Sequence, residues 1–527
     1  MTIVSSPLRE QYWETFEVQE QDIEFLYNYL LDKETPLTTR ELVTALAEER
    51  IRREKALIEQ QRSAGGAVYY PKSFYQENQY LVFPSLNWQR GKVTAVRDGN
   101  NPDLGPFKVI RVEFDNGETK EYASGIEHHI LNNPPTLSET VQALDLNYVL
   151  ATYGDDLEEI LDDHLKQNPD FVKIAGRWFP RALLVDINMG HLNLAEAVLD
   201  MAGGGPLPTS MLLEQVGLAG SANPRLTEFS LDLALQDDPR FDEVGPAGEV
   251  LWFLNRLEPE EVLKPHFCLR YSEVEYDPSV LNEAMLNLID ELDDELTPAR
   301  GKFQHLREVS VPLIYPHWRA GTFPLSGRVR HLFPTALEAP RVRFMWVDGE
   351  TGQKFPGWVV RLHRYASGLR EWYQAKGVMP GSLVKVKSGK VPGEVIVQVD
   401  SRRPSREWVR TVLVGSDGGV VFALLKQLVS TSFDERMAIA VPDPEALDHV
   451  WQQAQKDRLP FERVMVNTVR ELAKLTPQSH VHASELYAAV NVVRRCPPDP
   501  ILAMLASRPW FVHVGDLHYR FDDSERE

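Results

Sequence analysis

The sequence has 527 residues, of which 43% are hydrophobic and 25% charged, and this composition excludes a wholly disordered chain. Its net charge of -21 excludes a protein that coats nucleic acid over its whole surface, because phosphate attracts lysine and arginine. No apolar run is long enough to cross a bilayer and residues 1–20 lack a signal-peptide pattern, so we expect a cytoplasmic protein without a membrane partner.

The length exceeds a single hydrophobic core, so we expect several domains, of which the first two are small. Residues 1–66 place apolar side chains such as Leu26 and Leu30 at helical spacing and predict a helical segment. Residues 67–134 contain short alternating strands, two of which are joined by the tight-turn signal Asp115-Asn116-Gly117. This pattern resembles a small β-barrel of the SH3 or Tudor kind, as found on transcription and chromatin proteins.

A short motif occurs three times, at residues 169–175, 239–245 and 509–515. Each copy reads Pro-x-Phe-x-x-(Ile/Val)-(Gly/Ala), follows a helical stretch and precedes a pair of aromatic residues. Because proline stops a helix, each copy predicts a helix that runs into a two-stranded hairpin. The Phe and the Ile or Val are three residues apart, so we expect the turn to lie between them. The unit looks like the last helix and wing of a winged helix-turn-helix. We place these repeats at residues 135–200, 201–256 and 461–527.

The third repeat carries a further resemblance. Its Ser484-Glu485-Leu486 helix start, the helix before the wing, and the segment from Pro509-Trp510-Phe511 to Phe521 resemble the HARE type of winged helix. That family includes the delta subunit of bacterial RNA polymerase, and the resemblance implies association with nucleic acid or polymerase without catalysis. In the first repeat, residues 155–163 carry six carboxylates, and the matching helix of the second repeat is also acidic. We therefore expect both to contact a protein partner such as RNA polymerase.

The charge of the chain changes sign after an acidic helical connector at residues 257–316. Residues 317–411 carry 17 Lys or Arg against 7 Asp or Glu, a net charge of +10, whereas the remainder of the chain carries -31. Their order of strand, small helix, Pro380-Gly381 turn and strand resembles the plant DNA-binding pseudobarrel family that includes the auxin response factors. We expect a basic β-rich module that contacts DNA, followed by an α/β connector at residues 412–460.

The candidate nucleic-acid-binding residues are basic side chains, which neutralise phosphate, and aromatic side chains, which stack on bases. They are Arg361, Arg364, Lys385, Lys387, Lys390, Arg402, Arg403, Arg406, Trp358, Tyr365 and Trp372. The alternative is that these charges pair with the acidic remainder of the same chain.

Two patterns bear on catalysis. Pro102-Asp103 with Glu118-Thr119-Lys120 fits a loose nuclease pattern whose carboxylates hold a metal, but Glu118 follows a turn, whereas the nuclease needs it within a central strand. Cys268 and Cys496 are too few for a disulfide framework and have no histidine at zinc-ligand spacing. We expect no enzymatic activity, no metal and no other cofactor.

The sequence therefore predicts an α+β multidomain protein with N-terminal helices, an SH3/Tudor-like β-barrel, three winged-helix-like repeats and a basic pseudobarrel-like module. The predicted function is that of a non-enzymatic transcription- or DNA-associated protein. Its basic module and third repeat would contact nucleic acid, and its acidic repeats would contact the protein partner. A protein-interaction scaffold without nucleic-acid binding is the alternative, and a restriction-type nuclease component is a third hypothesis.

Overall fold

The computed structural model describes residues 11–63, 66–83, 86, 89–101, 105–132, 145–218, 223–298, 300, 306–416, 418–457 and 459–525. The described chain is a mixed α+β protein with six β-sheets, as the composition and patterning predict. It divides into two compact units, Met1–Val185 with Arg225–Phe229, and Asp186–Pro224 with Ser230–Glu527. None of the helices in these ranges combines the length and apolar character needed to cross a bilayer.

The elements of the first unit are α1 (Gln11–Glu14), α2 (Glu20–Lys33), β1 (Leu37–Thr38), α3 (Thr39–Ser63), β2 (Ala67–Val68), β3 (Tyr80–Phe83), β4 (Gln89–Asp98), β5 (Lys108–Phe114), β6 (Thr119–Ser124), α4 (Leu146–Lys166), β7 (Phe171–Ile174) and β8 (Arg177–Pro180).

The second unit starts with α5 (Met189–Met201), β9 (Leu207–Pro208), α6 (Thr209–Val216), α7 (Pro224–Gln236), β10 (Phe241–Glu243), β11 (Leu251–Leu254), α8 (Glu260–Leu263) and α9 (Glu283–Leu292). Residues 225–229 of α7 group with the first unit. A seven-stranded sheet follows, with β12 (Glu308–Pro312), α10 (Tyr315–Ala320), β13 (Thr322–Pro324), β14 (Arg341–Asp348), β15 (Lys354–Val360), β16 (Tyr365–Ser367), α11 (Arg370–Lys376), β17 (Leu383–Ser388) and β18 (Glu394–Val399).

The last elements are β19 (Ser401–Val414), β20 (Val420–Thr431), β21 (Ile439–Ala440), α12 (Pro444–Lys456), α13 (Phe461–Ala473), β22 (Val481–His482), α14 (Ala483–Val493), α15 (Pro498–Ser507), β23 (Phe511–Gly515) and β24 (His518–Phe521).

Three parts of the chain share one order of helix, short strand, helix, helix and two strands. We name them copy 1 (α2, β1, α3, α4, β7, β8), copy 2 (α5, β9, α6, α7, β10, β11) and copy 3 (α13, β22, α14, α15, β23, β24). In each copy the short strand pairs with the last strand, and the last strand pairs with the one before it. The three sheets therefore have the same strand order.

The boundaries of copies 1 and 2 differ from the predicted ones. Because β1 pairs with β8 and α3 packs against α4, the predicted segment 1–66 and the predicted repeat 135–200 form one copy. The five-stranded sheet β2-β3-β4-β5-β6 lies between α3 and α4 in the sequence, so it is an insertion within copy 1. Helix α5, which was assigned to the first repeat, is the first helix of copy 2.

The repeated motif makes the hairpin as predicted, but the position of the turn was wrong. Phe171 and Ile174 both belong to the continuous strand β7, and both are buried. The chain turns one residue later, where Ala175 and Gly176 have φ of 48° and 73°. The small residue at the end of the motif, Ala175 in copy 1, therefore starts the turn, and Gly176 after it adopts the left-handed backbone without a Cβ clash.

A buried polar cluster supports the hairpin of copy 1. The indole Nε1 of Trp178 donates to Thr39 Oγ1 at 3.1 Å and to Asp162 Oδ1 at 3.3 Å. Burial would raise the pKa of Asp162, but hydrogen bonds from Lys173 and Lys166 lower it to about 2. The ionised carboxylate thus joins α3, α4 and β8.

Copy 2 repeats this cluster and copy 3 does not. Trp252 Nε1 donates to Thr209 Oγ1 at 3.1 Å and to Asp232 Oδ1 at 2.9 Å. Tyr519 of copy 3 pairs with β22 as Trp252 pairs with β9, and Ala483 opens the next helix where copy 2 has Thr209. Copy 3 therefore has an apolar version of the same junction.

We expect Trp252→Phe to destabilise the protein by about 1–3 kcal/mol, because it leaves the buried Asp232 carboxylate without one of its donors. Tyr519→Phe is the matched control, and its effect should be within about 0.5 kcal/mol. Differential scanning calorimetry of both variants measures the difference. Equal losses in the two variants would contradict a role for the polar cluster.

The seven-stranded sheet has the order β12-β17-β18-β14-β15-β16-β13, and β14 and β18 are parallel. The predicted strands near residues 341, 358, 383 and 393 are confirmed, as is the short helix that Gly377 ends in the left-handed conformation. The predicted module boundaries differ, because β12 begins before residue 317 and β19 continues past residue 411. Val342, Trp346, Val384 and Val395 fill the core of this sheet.

Copy 2 packs directly on the edge of this sheet. The Phe253 and Trp358 rings meet edge to face at 5.2 Å, and Arg343 N donates to Val244 O at 2.9 Å. Asp242 and Glu258 of the copy 2 region both face Arg341 of β14. Burial and the neighbouring Asp242 carboxylate raise the pKa of Glu258 to about 8.

The raised pKa of Glu258 predicts a pH-dependent stability. A carboxyl whose folded pKa exceeds its unfolded value stabilises the fold below the unfolded pKa, and that contribution is lost as the pH rises towards about 8. We therefore expect Glu258→Gln to match the wild type near pH 5. Between pH 5 and about 8 its stability advantage over the wild type should grow by up to about 1.4 kcal/mol per pH unit. Urea unfolding of both proteins at several pH values tests this. A stability difference that does not change with pH would contradict it.

Copy 3 is joined to the acidic connector by buried charges. The predicted amphipathic helix of the connector is confirmed as α9, with Met285, Leu288 and Ile289 buried. Just after α9, Asp294 Oδ1 and Glu295 Oε1 each lie 2.6 Å from Arg495 Nη2, which is fully buried.

Candidate nucleic-acid interface

An exposed apolar and basic surface of the second unit lies on a hairpin whose boundaries were not predicted correctly. Strands β19 and β20 pair antiparallel from Ser401 to Val414, and the Gly415–Gly419 turn closes on the hydrogen bond from Gly415 N to Gly419 O at 2.8 Å. The predicted boundary at residue 411 divided this hairpin. The two strands carry five basic residues and one acidic residue.

One face of the hairpin, the ribbon face, has the exposed side chains Arg406, Trp408, Leu424, Lys426 and Leu428, together with the partly buried Arg410. Residues two apart on a strand and their cross-strand partners share a face, and Trp408 pairs with Lys426 as Arg406 pairs with Leu428. Trp408 is 65% exposed and Leu428 70% exposed. The Lys426 ammonium lies 5.3 Å from the centre of the Trp408 ring. The face therefore presents an indole with the Lys426 ammonium over its ring and Arg406 two residues away on the same strand.

The ribbon is held in place from its other face, from its turn end and through Arg410 of the ribbon face itself. Val409 and Val429 pack with Ala438 and Ala440. Near the turn, Val412 and Phe422 belong to the large core that includes copy 3. The Arg410 guanidinium is fixed by Glu485 Oε1 at 2.7 Å. These contacts leave Trp408 and its neighbours exposed on a rigid support.

The aromatic members of the predicted site are buried, and their assignment to base stacking was wrong. Trp358, Tyr365 and Trp372 are 2%, 1% and 7% exposed. Tyr365 Oη donates to Glu261 O at 2.6 Å, and Trp372 Nε1 donates to Asp348 Oδ2 at 2.7 Å. Their rings join the seven-stranded sheet to its neighbours and cannot reach a base.

Four basic members of the predicted site have partners within the chain. Lys385 Nζ lies 2.7 Å from Asp400 Oδ2, and Lys387 Nζ lies 3.6 Å from Glu308 Oε2. The remaining two bond backbone carbonyls, Arg361 Nη1 to Ala339 O at 2.8 Å and Arg364 Nη1 to Glu295 O at 2.9 Å. Among these four, internal charge pairing therefore applies to Lys385 and Lys387, whereas the two arginines bond uncharged carbonyl oxygens.

The other basic candidates are Lys390, Arg402, Arg403 and Arg406, and all four are exposed. Lys390 lies between β17 and β18, whereas the three arginines are on β19. Of these four, the structure thus brings together only Arg402, Arg403 and Arg406. The other residues of the ribbon face, such as Trp408 and Lys426, were not predicted. The sequence did contain a signal for a hairpin here. The strand that begins at Arg406-Glu407-Trp408 is followed by a Gly-rich turn and then by a second, apolar strand.

The third repeat does not present its pre-wing helix as an interface. In α15, Ile501, Leu502 and Leu505 are buried, and the helix packs against α9. A helix covered in this way cannot enter a groove of DNA, so contact of this repeat with nucleic acid, which stays a prediction, would need another element of the repeat. In copy 1, by contrast, Asp155, Asp156, Glu159 and Asp163 of α4 are exposed.

The structure locates two groups of potentially reactive residues. Cys268 Sγ lies 2.8 Å from His266 Nδ1, but Cys268 is fully buried, and burial raises the pKa of its thiol far above the usual range. Burial also lowers the pKa of His266 to about 4. Of the nuclease pattern, Pro102 and Asp103 lie outside the described residues. Glu118 is at an exposed hairpin tip beside Lys120 Nζ at 2.9 Å.

Across the described ranges, no group of three or more His, Cys, Asp or Glu side chains is arranged to hold a metal ion. Comparison of the chain with protein-family models, with curated proteins and with solved structures gives no match. The features that bear on function are therefore the geometry of the ribbon face and the charges around it.

Proposed function

We propose that this chain is a non-enzymatic DNA-associated protein that contacts duplex DNA through the ribbon face. The observation that carries the proposal is the exposed indole of Trp408, which shares the face of a supported two-stranded ribbon with Arg406 and Lys426. The DNA major groove admits a two-stranded β-ribbon, and basic side chains on such a ribbon reach the phosphates while apolar ones contact base edges. Arg402 and Arg403 extend the positive charge along β19.

The acidic remainder of the protein supports a localised contact. Phosphate repels a chain with net charge -21 except where cations are concentrated. On strands β19 and β20 the one carboxylate, Glu407, pairs across the strands with Gln427 on the opposite face and accepts a hydrogen bond from Ser405 Oγ. DNA would therefore approach from the side of the ribbon face.

For the finer fold, we propose that copies 1 to 3 are winged helices and that the five-stranded sheet is an SH3/Tudor-like barrel. The support is the shared order of elements and strands in the three copies. In copy 3, helix α15 is buried against α9, and we therefore propose a structural role for this domain. In copy 1 the exposed carboxylates of α4 favour a basic protein surface, and RNA polymerase is the partner we propose for it.

The test of DNA contact is fluorescence anisotropy of the full-length protein with a labelled duplex, over a range of salt concentrations. Neutralisation of two to four phosphates predicts a slope of about -2 to -4 in a plot of log affinity against log salt concentration. No binding at low salt, or binding that is independent of salt, would reject the proposal.

A protein-interaction scaffold is the second candidate, and the exposed Leu424 and Leu428 favour it, since apolar residues and arginine are common at protein interfaces. A pull-down from native lysate with and without nuclease distinguishes the candidates. Polymerase subunits recovered in both conditions, together with DNA binding, support the first function. Polymerase recovered without any DNA binding supports the scaffold.

A further inference from the structure

A cavity of about 400 Å³ in the second unit is lined by three arginines that the proposed DNA contact does not use. Arg361 and Arg364 lie in the turn between β15 and β16, and Arg330 lies in a short 3-10 helix before β14. Three like charges at one cavity repel one another unless an anion lies between them. A volume of this size is within the range of small-molecule sites.

Most of the hydrogen-bond donors on these arginines are unused. A guanidinium has five N–H donors. Arg361 and Arg364 each donate through one nitrogen to a backbone carbonyl. Arg330 is exposed, and among the described residues its side chain has no hydrogen-bond or ion-pair partner. The arrangement leaves donors available for a ligand with several acceptor oxygens, such as a phosphate.

The turn that carries two of the arginines has a constrained backbone. Arg364 has φ of +52°, in the left-handed region that residues other than glycine seldom adopt. Its amide donates to Arg361 O at 3.3 Å, and its carbonyl accepts from Leu325 N at 2.8 Å. The fold thus holds Arg364 at the cavity despite an unfavourable backbone conformation, a feature that occurs often in binding sites.

The carboxylates at the cavity are for the most part already neutralised. Asp294 and Glu295 are paired with the buried Arg495. Asp293 accepts from the Ser326 hydroxyl and the Arg328 amide and lies 3.5 Å from Arg328 Nε. With Arg328 and Arg495 counted, five arginines face the four carboxylates of the lining, so the formal charge at the cavity is +1.

We propose that this cavity binds a small organic phosphate. Its phosphate group would be held by Arg330, Arg361 and Arg364, which can form paired hydrogen bonds with phosphate oxygens. Its organic part would contact Leu325, Phe333 and Val359, which also line the cavity. The site is separate in its residues from the ribbon face.

The test is isothermal titration calorimetry of the full-length protein with four probes: AMP, glucose 6-phosphate, inorganic phosphate and adenosine. We expect at least one of the two organic phosphates to bind about tenfold or more tightly than inorganic phosphate, and adenosine not to bind. We expect Arg330→Met combined with Arg361→Met to weaken that binding by about tenfold or more. Failure of both organic phosphates to bind at millimolar concentration would overturn the proposal.

The matched control is Arg402→Met combined with Arg403→Met, which removes the same charge from β19. It should bind the organic phosphate as the wild type does, whereas the cavity variant should keep its DNA affinity. Circular dichroism of the cavity variant establishes that it is folded. Unchanged organic-phosphate binding by a folded cavity variant, or equal loss in the control variant, would assign the binding to general charge and overturn the site.

Discussion

Replacing Arg406, Trp408 and Lys426 together with alanine is expected to lower the affinity of the full-length protein for duplex DNA by about tenfold to a thousandfold. Burial of the indole against base edges in the groove contributes about 1.5–3 kcal/mol, and the two cations each neutralise a phosphate. The slope of log affinity against log salt concentration should fall in magnitude by about 2. Anisotropy titrations at several salt concentrations measure both quantities. The three side chains are exposed, so the variant should keep the stability of the wild type.

The control for this experiment is Lys385→Ala combined with Lys387→Ala. It removes two charges from the basic module, but both side chains lie beside carboxylates, Asp400 and Glu308. Because those charges are already neutralised, we expect an affinity within about threefold of the wild type. If this control lost as much affinity as the ribbon variant, DNA would be recognising the charge of the whole module, and the ribbon face would not be the interface.

Much of the fold is predictable from the sequence because its signals are local. The proline after each helix, the Phe two residues later and the small residue at the turn predicted three helix-to-hairpin units. The strands near residues 341 and 383 alternate with period two, and all of these elements are in the structure. Each of these elements depends on residues that are adjacent in the chain, and such residues determine the local backbone preference.

The candidate site was harder to predict because burial depends on residues distant in sequence. Trp358 and Trp408 both lie in basic strands and look alike in the sequence. Trp358 is buried against Phe253 of copy 2, whereas Trp408 stays 65% exposed with the Lys426 ammonium over its ring. A local pattern does not specify which face of a strand another domain will cover. The pairing of β1 with β8 across an inserted sheet was missed for the same reason.

Arg495→Met is expected to destabilise the protein by about 3–5 kcal/mol near pH 7, because it leaves Asp294 and Glu295 buried without their cation. His317 Nε2 lies 3.1 Å from Glu295 Oε1, and the Tyr487 hydroxyl donates to Asp294, but neither supplies a fixed positive charge. Urea unfolding at constant pH measures the loss. Arg470→Met is the control, since its pair with Asp523 is exposed and should contribute less than about 1 kcal/mol.

The loss in Arg495→Met should depend on pH in a defined direction. Burial already raises the pKa of Asp294, and without the arginine the pKa of Glu295, which the cation now lowers, should rise as well. Carboxyls with raised folded pKa values stabilise the fold at low pH and lose that contribution as the pH rises. The variant should therefore be closer to the wild type at pH 5 than at pH 8. A loss that is the same at both values would show that Arg495 acts through packing alone, because only the ionised carboxylates need its charge.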